Sequence, residues 1–296
     1  MATRTGQVIV SRDTRRAYLV RGHLRALRRI NPNLRVVGVT DDGGATYVQA
    51  SDSVISPWLI ARGHFQRDHL IRGWAIARAR APRPNAKTFL DVGANVGTTT
   101  LYASRTGDFD RIVAVEPSPD NVHFLELNVM ANNLSSQVHI APVACGAEAG
   151  EVELILSSVS AGDHRVRRAD DIPSSHPGIV AVQQRTLDDI VHDAGVDPSD
   201  VALAWVDTQG HEPGVMAGAT SLLAARVPFI IEFWPEMYVE SGLLDELLTT
   251  LSASFRSYID LREPSEVVHP ISELGALAGR LAPVRSGQTD LVLLPD

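Results

Sequence analysis

An α/β fold is predicted: a doubly wound, mostly parallel sheet with helices on both faces, carrying a small N-terminal α/β addition. Three observations predict it. From Lys87 onward, apolar runs of strand length alternate with helical stretches. The first such run ends in a glycine-rich turn, Gly93-Ala94-Asn95-Val96-Gly97, that opens into a helix. The second ends in a carboxylate, Glu116, followed by Pro117.

The elements follow in chain order. Gln7–Ser11, Arg35–Thr40 and Thr46–Ala50 read as short strands around an Arg-rich helix at about residues 14–30, with Asp41-Asp42-Gly43-Gly44 as a turn. Residues 58–80 read as helical, with Leu59, Phe65, Leu70, Trp74 and Ile76 as apolar anchors, until Pro82 and Pro84 break the pattern. Thr88–Val92, Arg111–Glu116 and Val138–Ala141 are the first core strands, with helices at Gly97–Ser104 and Pro119–Asn132 between them. Glu151–Leu156 and Val180–Arg185 read as an inserted strand pair around a polar loop. Val201–Asp207 and Pro228–Phe233 resume the parallel pattern, and Phe255–Ile259 and Thr289–Leu294 are the final strands. Helices are expected at Pro213–Ala225, Glu236–Leu251 and Ile271–Leu281. The domain reading is an addition at 1–56, a helical lead-in at 57–86 and a ligand-binding domain at 87–296 with its insertion at 151–185.

Composition bounds the function. The 296 residues are 44% hydrophobic and 21% charged, which suits a globular chain rather than a disordered one. No apolar run reaches the ~18 residues of a membrane span, and no secretory leader is visible. With a single cysteine, Cys145, no internal disulfide can form, so a cytoplasmic setting is expected. A net charge of −8 argues against nucleic acid as partner. The basic stretch Arg12, Arg15, Arg16, Arg21, Arg25, Arg28, Arg29, Arg35 is either a docking patch or the solvated face of a helix.

The glycine turn has a physical logic. Open α/β sheets bind ligands beyond the carboxyl ends of their strands. Gly93 and Gly97 remove side chains where the chain turns tightly, and Asn95 tolerates unusual dihedrals. Asp91 can accept a bond from a ligand amine or order the loop, and the following helix N-terminus suits a carboxylate. Glu116 is placed to accept both ribose hydroxyls of an adenosine ligand. The spacing is not G-x-G-x-x-G, which argues against a nicotinamide dinucleotide.

With these residues in hand, the chain resembles the FkbM-type family of class I S-adenosylmethionine-dependent methyltransferases. The matching segments are Phe89–Gly97, Ala114–Pro117, Leu127–Asn133, Thr186–Asp189, the hexad Asp207-Thr208-Gln209-Gly210-His211-Glu212, and Ile231-Glu232, across roughly residues 58–235. The resemblance implies a seven-stranded Rossmann-like sheet with one antiparallel strand near its edge, S-adenosyl-L-methionine as cofactor, and O-methylation of a small hydroxylated acceptor such as a saccharide or specialised metabolite. It implies that Asp91, Gly93, Ala94, Asn95 and Gly97 line the methionine part, that Glu116 and Pro117 meet the ribose, and that Asp207 also lines the cofactor. After the third core strand no acid or amide awaits the adenine amine, so backbone near Ala144 is the candidate there.

Methyl transfer to a hydroxyl requires alignment and removal of a proton. Asp207, His211 and Glu232 are the catalytic candidates, His211 because an unperturbed imidazole titrates near neutrality. Asp207, Glu232 and His211 could also gather around a divalent cation such as magnesium; that reading is not favoured, and no spacing supports zinc. Ser160-Ala161-Gly162-Asp163-His164-Arg165 is a candidate wall of the acceptor pocket or a solvated tip. Trp58, Phe65 and Trp74 read as packing residues, while His64 and Gln66 could close over the cleft. Two other functions stay open: an NAD(P)-dependent oxidoreductase on a related sheet, and a non-catalytic adaptor working through the Arg-rich N-terminus.

Overall fold

The computed structural model describes residues 12–41, 43–157, 159–168, 178–284 and 287–295. The candidate strand Gln7–Ser11 lies outside them. The N-terminal part holds α1 (Arg12–Ile30), a hairpin of β1 (Val36–Asp41) and β2 (Gly44–Gln49), α2 (Ile55–Arg62) and α3 (Arg67–Arg80). The helical stretch expected at 58–80 is thus two helices. Gly63 ends α2 in the left-handed region at φ 79°, and Gln66 enters α3 at φ 57°.

The core continues with β3 (Thr88–Val92), α4 (Thr98–Arg105), β4 (Arg111–Val115), α5 (Pro119–Ala131) and β5 (Val138–Ala141). The hairpin is pinned to α5 by Asn128 and Asn132, four residues apart on one helix face. Asn128 accepts from the Tyr47 amide at 2.7 Å and donates to the Tyr47 carbonyl at 2.9 Å; Asn132 does the same for Ala45, at 3.2 and 2.7 Å.

The inserted pair is β7 (Gly150–Leu156) and β9 (Gly178–Arg185), and it grows into a four-stranded sheet by adding β6 (Ala144–Cys145) and β8 (Arg165–Val166). After α6 (Leu187–Asp193) come β10 (Val201–Val206), α7 (Glu212–Ala217), α8 (Thr220–Ala224), β11 (Phe229–Phe233), α9 (Pro235–Glu240), α10 (Leu244–Ser254), β12 (Ser257–Asp260), β13 (His269–Pro270), α11 (Leu274–Leu281) and β14 (Thr289–Leu294). Pro213–Ala225, expected as one helix, is broken at Gly218, where a Cβ would lie 2.2 Å from the Gly146 carbonyl oxygen. Glu236–Leu251 is broken near Gly242, which sits at φ 73°.

The central sheet runs β13-β12-β14-β11-β10-β3-β4-β5. The strands from β11 to β5 are mutually parallel, and β14 is antiparallel to both of its neighbours. The sheet has eight strands rather than seven because the two-residue β13 adds to the β12 edge. Every residue of β3, β10, β11 and β14 is buried, as expected of strands covered on both faces. Alternation sends Leu90 and Val92 into one core layer and Phe89 into the other. From β3 the chain steps outward to β4 and β5, then returns to place β10 on the other flank of β3. The strand order therefore reverses between β3 and β10, and a crevice opens at their carboxyl ends.

Candidate active site

Both sides of that crevice are close-packed backbone. The amides of Gly93 and Ala94 donate to the Val115 carbonyl, each at 2.9 Å, so the turn bends over the end of β4. Gly93 has φ 87°, and a Cβ there would lie 1.8 Å from the Asp207 carbonyl oxygen. Glycine is required both by the dihedral and by this approach. Asn95 follows at φ 54°. Five described non-glycine residues have positive φ, and three of them, Gln66, Asn95 and Gln209, line this one crevice, so the strained backbone is gathered at the site.

Of the residues expected at the cofactor, Gly93, Ala94, Asn95, Glu116, Pro117, Ala144 and Asp207 all line the crevice. Two do not. Asp91 is fully buried beneath the turn, where it accepts from Thr100 Oγ1 at 2.5 Å, and burial pushes its carboxyl up to about 7. Gly97 faces α5: a Cβ on it would meet Leu125 Cδ1 at 2.7 Å, so its role is helix packing rather than ligand approach.

Glu116 does more than wait for a ribose. Its Oε2 accepts from the Asn95 amide and its Oε1 from the Ser118 amide, both at 2.8 Å, and Asn121 Nδ2 is 3.4 Å from Oε1. The carboxylate ties the glycine turn to the start of α5, and burial pushes it up to about 7. Beside the ribose contact expected of it, Glu116 therefore has a structural role in the turn. Glu116→Ala removes the acceptor from two buried amides and should lower stability by about 2–4 kcal/mol as well as weakening cofactor binding. Chemical denaturation checks this, and a midpoint equal to wild type would remove the turn-tying role.

The crevice fits an adenosine-type sulfonium amino acid. Asn95 Oδ1 and Asn121 Oδ1, on two of the lining residues, are buried without a hydrogen-bond partner. An orphaned buried acceptor costs about 1–3 kcal/mol, and a ligand rich in donors (an ammonium, ribose hydroxyls, an adenine amine) would offset that cost.

The catalytic candidates Asp207 and Glu232 sit together at the ends of β10 and β11. Gln209 Nε2 donates to Asp207 Oδ1 at 2.6 Å and Glu232 Oε2 at 3.0 Å, while Gln288 Nε2 donates to Glu232 Oε1 at 2.9 Å. Burial first, then the charges of Asp207, Glu212 and Asp290, hold Glu232 well above its ordinary range. Asp207 is itself pushed up to about 6 by burial and by Asp290.

Glu212 is the third carboxylate, within 4.8 Å of these two. It is fully buried, accepts from the Thr208 amide at 2.7 Å and from Tyr238 Oη at 3.0 Å, and so closes the hexad into a loop. His211, named with Asp207 and Glu232 as a cation-binding trio, is not in that cluster. All three carboxylates already have hydrogen-bond partners, and no metal is assigned to them.

His211 lines the crevice with Nε2 3.2 Å from Gln184 Oε1. Burial drives its imidazole down to about 4, so the premise of a ring titrating near neutrality does not hold.

Of the N-terminal part, sequence reasoning named Gln66 beside the cleft but missed Val54, Ile55 and Asp52 and took Phe65 for packing alone. Val54, Ile55, Phe65 and Gln66 line the crevice, the last two because the chain breaks between α2 and α3. Phe65 thus faces the ligand site and is not only packing; His64 is not among the lining residues. Asp52 carries the connection to the insertion. Its Oδ1 accepts from Val54 and Ser56 amides at 2.9 Å each, and its Oδ2 from the Ala161 amide at 2.7 Å. Asn121 Nδ2 holds the Ala161 carbonyl at 3.0 Å. Ser160 to Arg165 therefore form a wall of the crevice rather than a solvated tip. Only a local Asx pattern could have flagged Asp52 beforehand.

Comparison with known proteins bears on this geometry. The model of the methyltransferase FkbM domain matches residues 91–258, more than half of the chain. The chain belongs to the FkbM methyltransferase family. As a member it is an S-adenosylmethionine-dependent methyltransferase by class. Several solved structures are similar to this FkbM domain. The FkbM methyltransferase from Methylobacillus flagellatus is 17% identical, with 56% of this chain and 38% of that chain covered and a TM-score of 0.38. A human methyltransferase 10 domain containing protein is 11% identical, with 94% and 96% covered and a TM-score of 0.47. A precorrin-6y C5,15-methyltransferase from Geobacter metallireducens is 9% identical, with 78% and 87% covered and a TM-score of 0.36. This FkbM chain thus spans well under half the length of the Methylobacillus protein. No curated protein matches it. Among the described residues no helix is long and apolar enough to cross a membrane.

Proposed function

We propose that the FkbM domain methylates a hydroxyl oxygen of a small polar acceptor, such as a saccharide or a specialised metabolite, with S-adenosyl-L-methionine as donor. The observation that carries this is the glycine turn packed against the Asp207 backbone, with the orphaned acceptors Asn95 Oδ1 and Asn121 Oδ1 beside it. When bound, the cofactor supplies a sulfonium-activated methyl group and its own leaving group. The residues do the rest. Gly93, Ala94 and Asn95 admit the amino-acid end, Glu116 and Asn121 face the sugar, and Ala144 with Cys145 lies at the base.

The acceptor enters through a second cleft that shares Arg165, Val166, Gln209 and His211 with the first. Its other walls include Arg168, Glu240 and Ser241 beside Met237 and Leu243. The lining is largely apolar, with Gln209, His211 and Ser241 as hydrogen-bonding groups, which accommodates a ring bearing a few hydroxyls. Asp207, joined to Glu232 through Gln209, is the better proton acceptor; His211 positions the acceptor in its neutral form. The family match and the glycine spacing leave the nicotinamide alternative without support.

Asp207→Asn should retain S-adenosylhomocysteine binding within about tenfold while lowering kcat by roughly 100-fold or more, as expected for a lost base. His211→Ala should mainly raise KM. Mass spectrometry of a hydroxylated acceptor pool checks the reaction by its methyl addition, and calorimetry checks binding. If His211→Ala abolishes kcat while Asp207→Asn does not, the base assignment is reversed. If cofactor binds and no acceptor is ever methylated, the adaptor reading takes over.

A further inference from the structure

We propose that the outer face of α1 is a peripheral docking surface for an anionic phospholipid bilayer. On this helix Leu19, His23, Ala26 and Ile30 recur at the spacing of one helical stripe, and all four are exposed. Leu19 is 64% exposed and Ile30 82%. Tyr18 and Leu27 are also exposed, on the two opposite sides of the stripe, and Arg15, Arg16, Arg25 and Arg29 flank it. Among the described residues none of these four arginines has an ion-pair partner. The one acid on the helix, Asp13, is taken by Arg62 of α2 at 3.6 Å.

Beside the stripe, between α1 and β1, runs a shallow apolar groove lined by Val20, Leu24, Leu27, Val36, Val39 and Ile60. A chain of net charge −8 therefore keeps a block of unpaired cations and exposed apolar side chains together on one convex face. That combination matches an interfacial helix, whose apolar stripe enters the headgroup boundary while its arginines meet anionic headgroups. An acidic peptide would meet the charge but leave Leu19 and Ile30 uncovered, so the apolar stripe favours lipid.

The test is co-sedimentation of the full chain with vesicles of phosphatidylcholine alone or mixed with phosphatidylglycerol, at physiological ionic strength. Wild type should partition onto the mixed vesicles and not the neutral ones. Arg25→Gln/Arg29→Gln should weaken partitioning about 30-fold, as the loss of two surface cations predicts. Leu19→Ser/Ile30→Ser should weaken it on the order of tenfold at unchanged charge. Both variants should bind S-adenosylhomocysteine as wild type does, which shows that they fold. Absent or charge-independent binding overturns the proposal. So does wild-type partitioning of the Leu19→Ser/Ile30→Ser variant, which would mark simple cation capture of any polyanion. A wild-type dimer in light scattering that Ile30→Ser dissociates would instead assign the face to a second copy.

Discussion

Gly93→Ala is expected to cost the chain at least ~4 kcal/mol and to abolish S-adenosylhomocysteine binding. Two effects add. An alanine at φ 87° occupies a region that L side chains rarely adopt. The new methyl would also lie 1.8 Å from the Asp207 carbonyl oxygen and 2.8 Å from its carbon, both backbone atoms held by the Asp207 amide bond to the Val92 carbonyl at 2.9 Å. Neither side can yield without separating the end of β3 from the end of β10, which is the crevice itself. Gly97→Ala provides the internal control. It shares the left-handed dihedral, at φ 91°, but its methyl meets only the flexible tip of Leu125. It should cost roughly 1–2 kcal/mol and leave ligand binding measurable. Urea denaturation and calorimetry on both variants check this; equal effects would show that the dihedral alone matters and that the approach to Asp207 does not.

The ligand-free FkbM domain should be more stable near pH 5 than near pH 8. Burial pushes Asp91, Glu116 and Glu212 each up to about 7 from ordinary values of 3.8 or 4.5. An acid whose folded value is raised is protonated in the folded chain and ionised in the unfolded one between those limits. Its contribution is fully present below about pH 4 and is lost as pH rises through 7. Each such group corresponds to about 3 kcal/mol over that window. His211, held down to about 4, works in the opposite direction, one group against three. His69, raised first by its bond to Asp290, adds to the acidic side. Glu212→Gln isolates one component, because an amide can still accept from Thr208 and can donate to Tyr238 Oη. It should match wild type near pH 5 and exceed it by about 2 kcal/mol near pH 8. Denaturation curves at the two pH values check both statements, and a wild-type stability that climbs from pH 5 to pH 8 would overturn the burial account.

These carboxyls also explain why a methyl donor with two cationic centres suits the crevice. Without ligand, the buried acids carry their ionisation cost alone. Positive charge beside Asp207 and Glu116 would favour their ionised forms, so cofactor affinity should follow their deprotonation.

The sequence by itself determined which residues stand at the ends of which strands. Strand period, glycine spacing and the acids closing each run are local signals, and they placed Gly93, Asn95, Glu116, Asp207 and Glu232 beside one crevice before any coordinates. Strand and helix alternation also implied the parallel core, while the family resemblance implied one antiparallel strand near its edge, the place that β14 takes. Tertiary structure alone decided what those groups experience. The short helices broke where Gln66 and Gly218 meet distant backbone or bend left-handed, and the first of these breaks delivered Phe65 and Gln66 to the site. Asp52 joined the N-terminal part to Ala161 across 109 positions of chain. Gln184 met His211, and burial took that imidazole far from neutrality. Gly97 turned toward Leu125, away from the ligand. The physical reason is common to all of these: hydrogen-bond partners and desolvation are set by atoms brought close in space, and a local pattern of residue types carries no record of them.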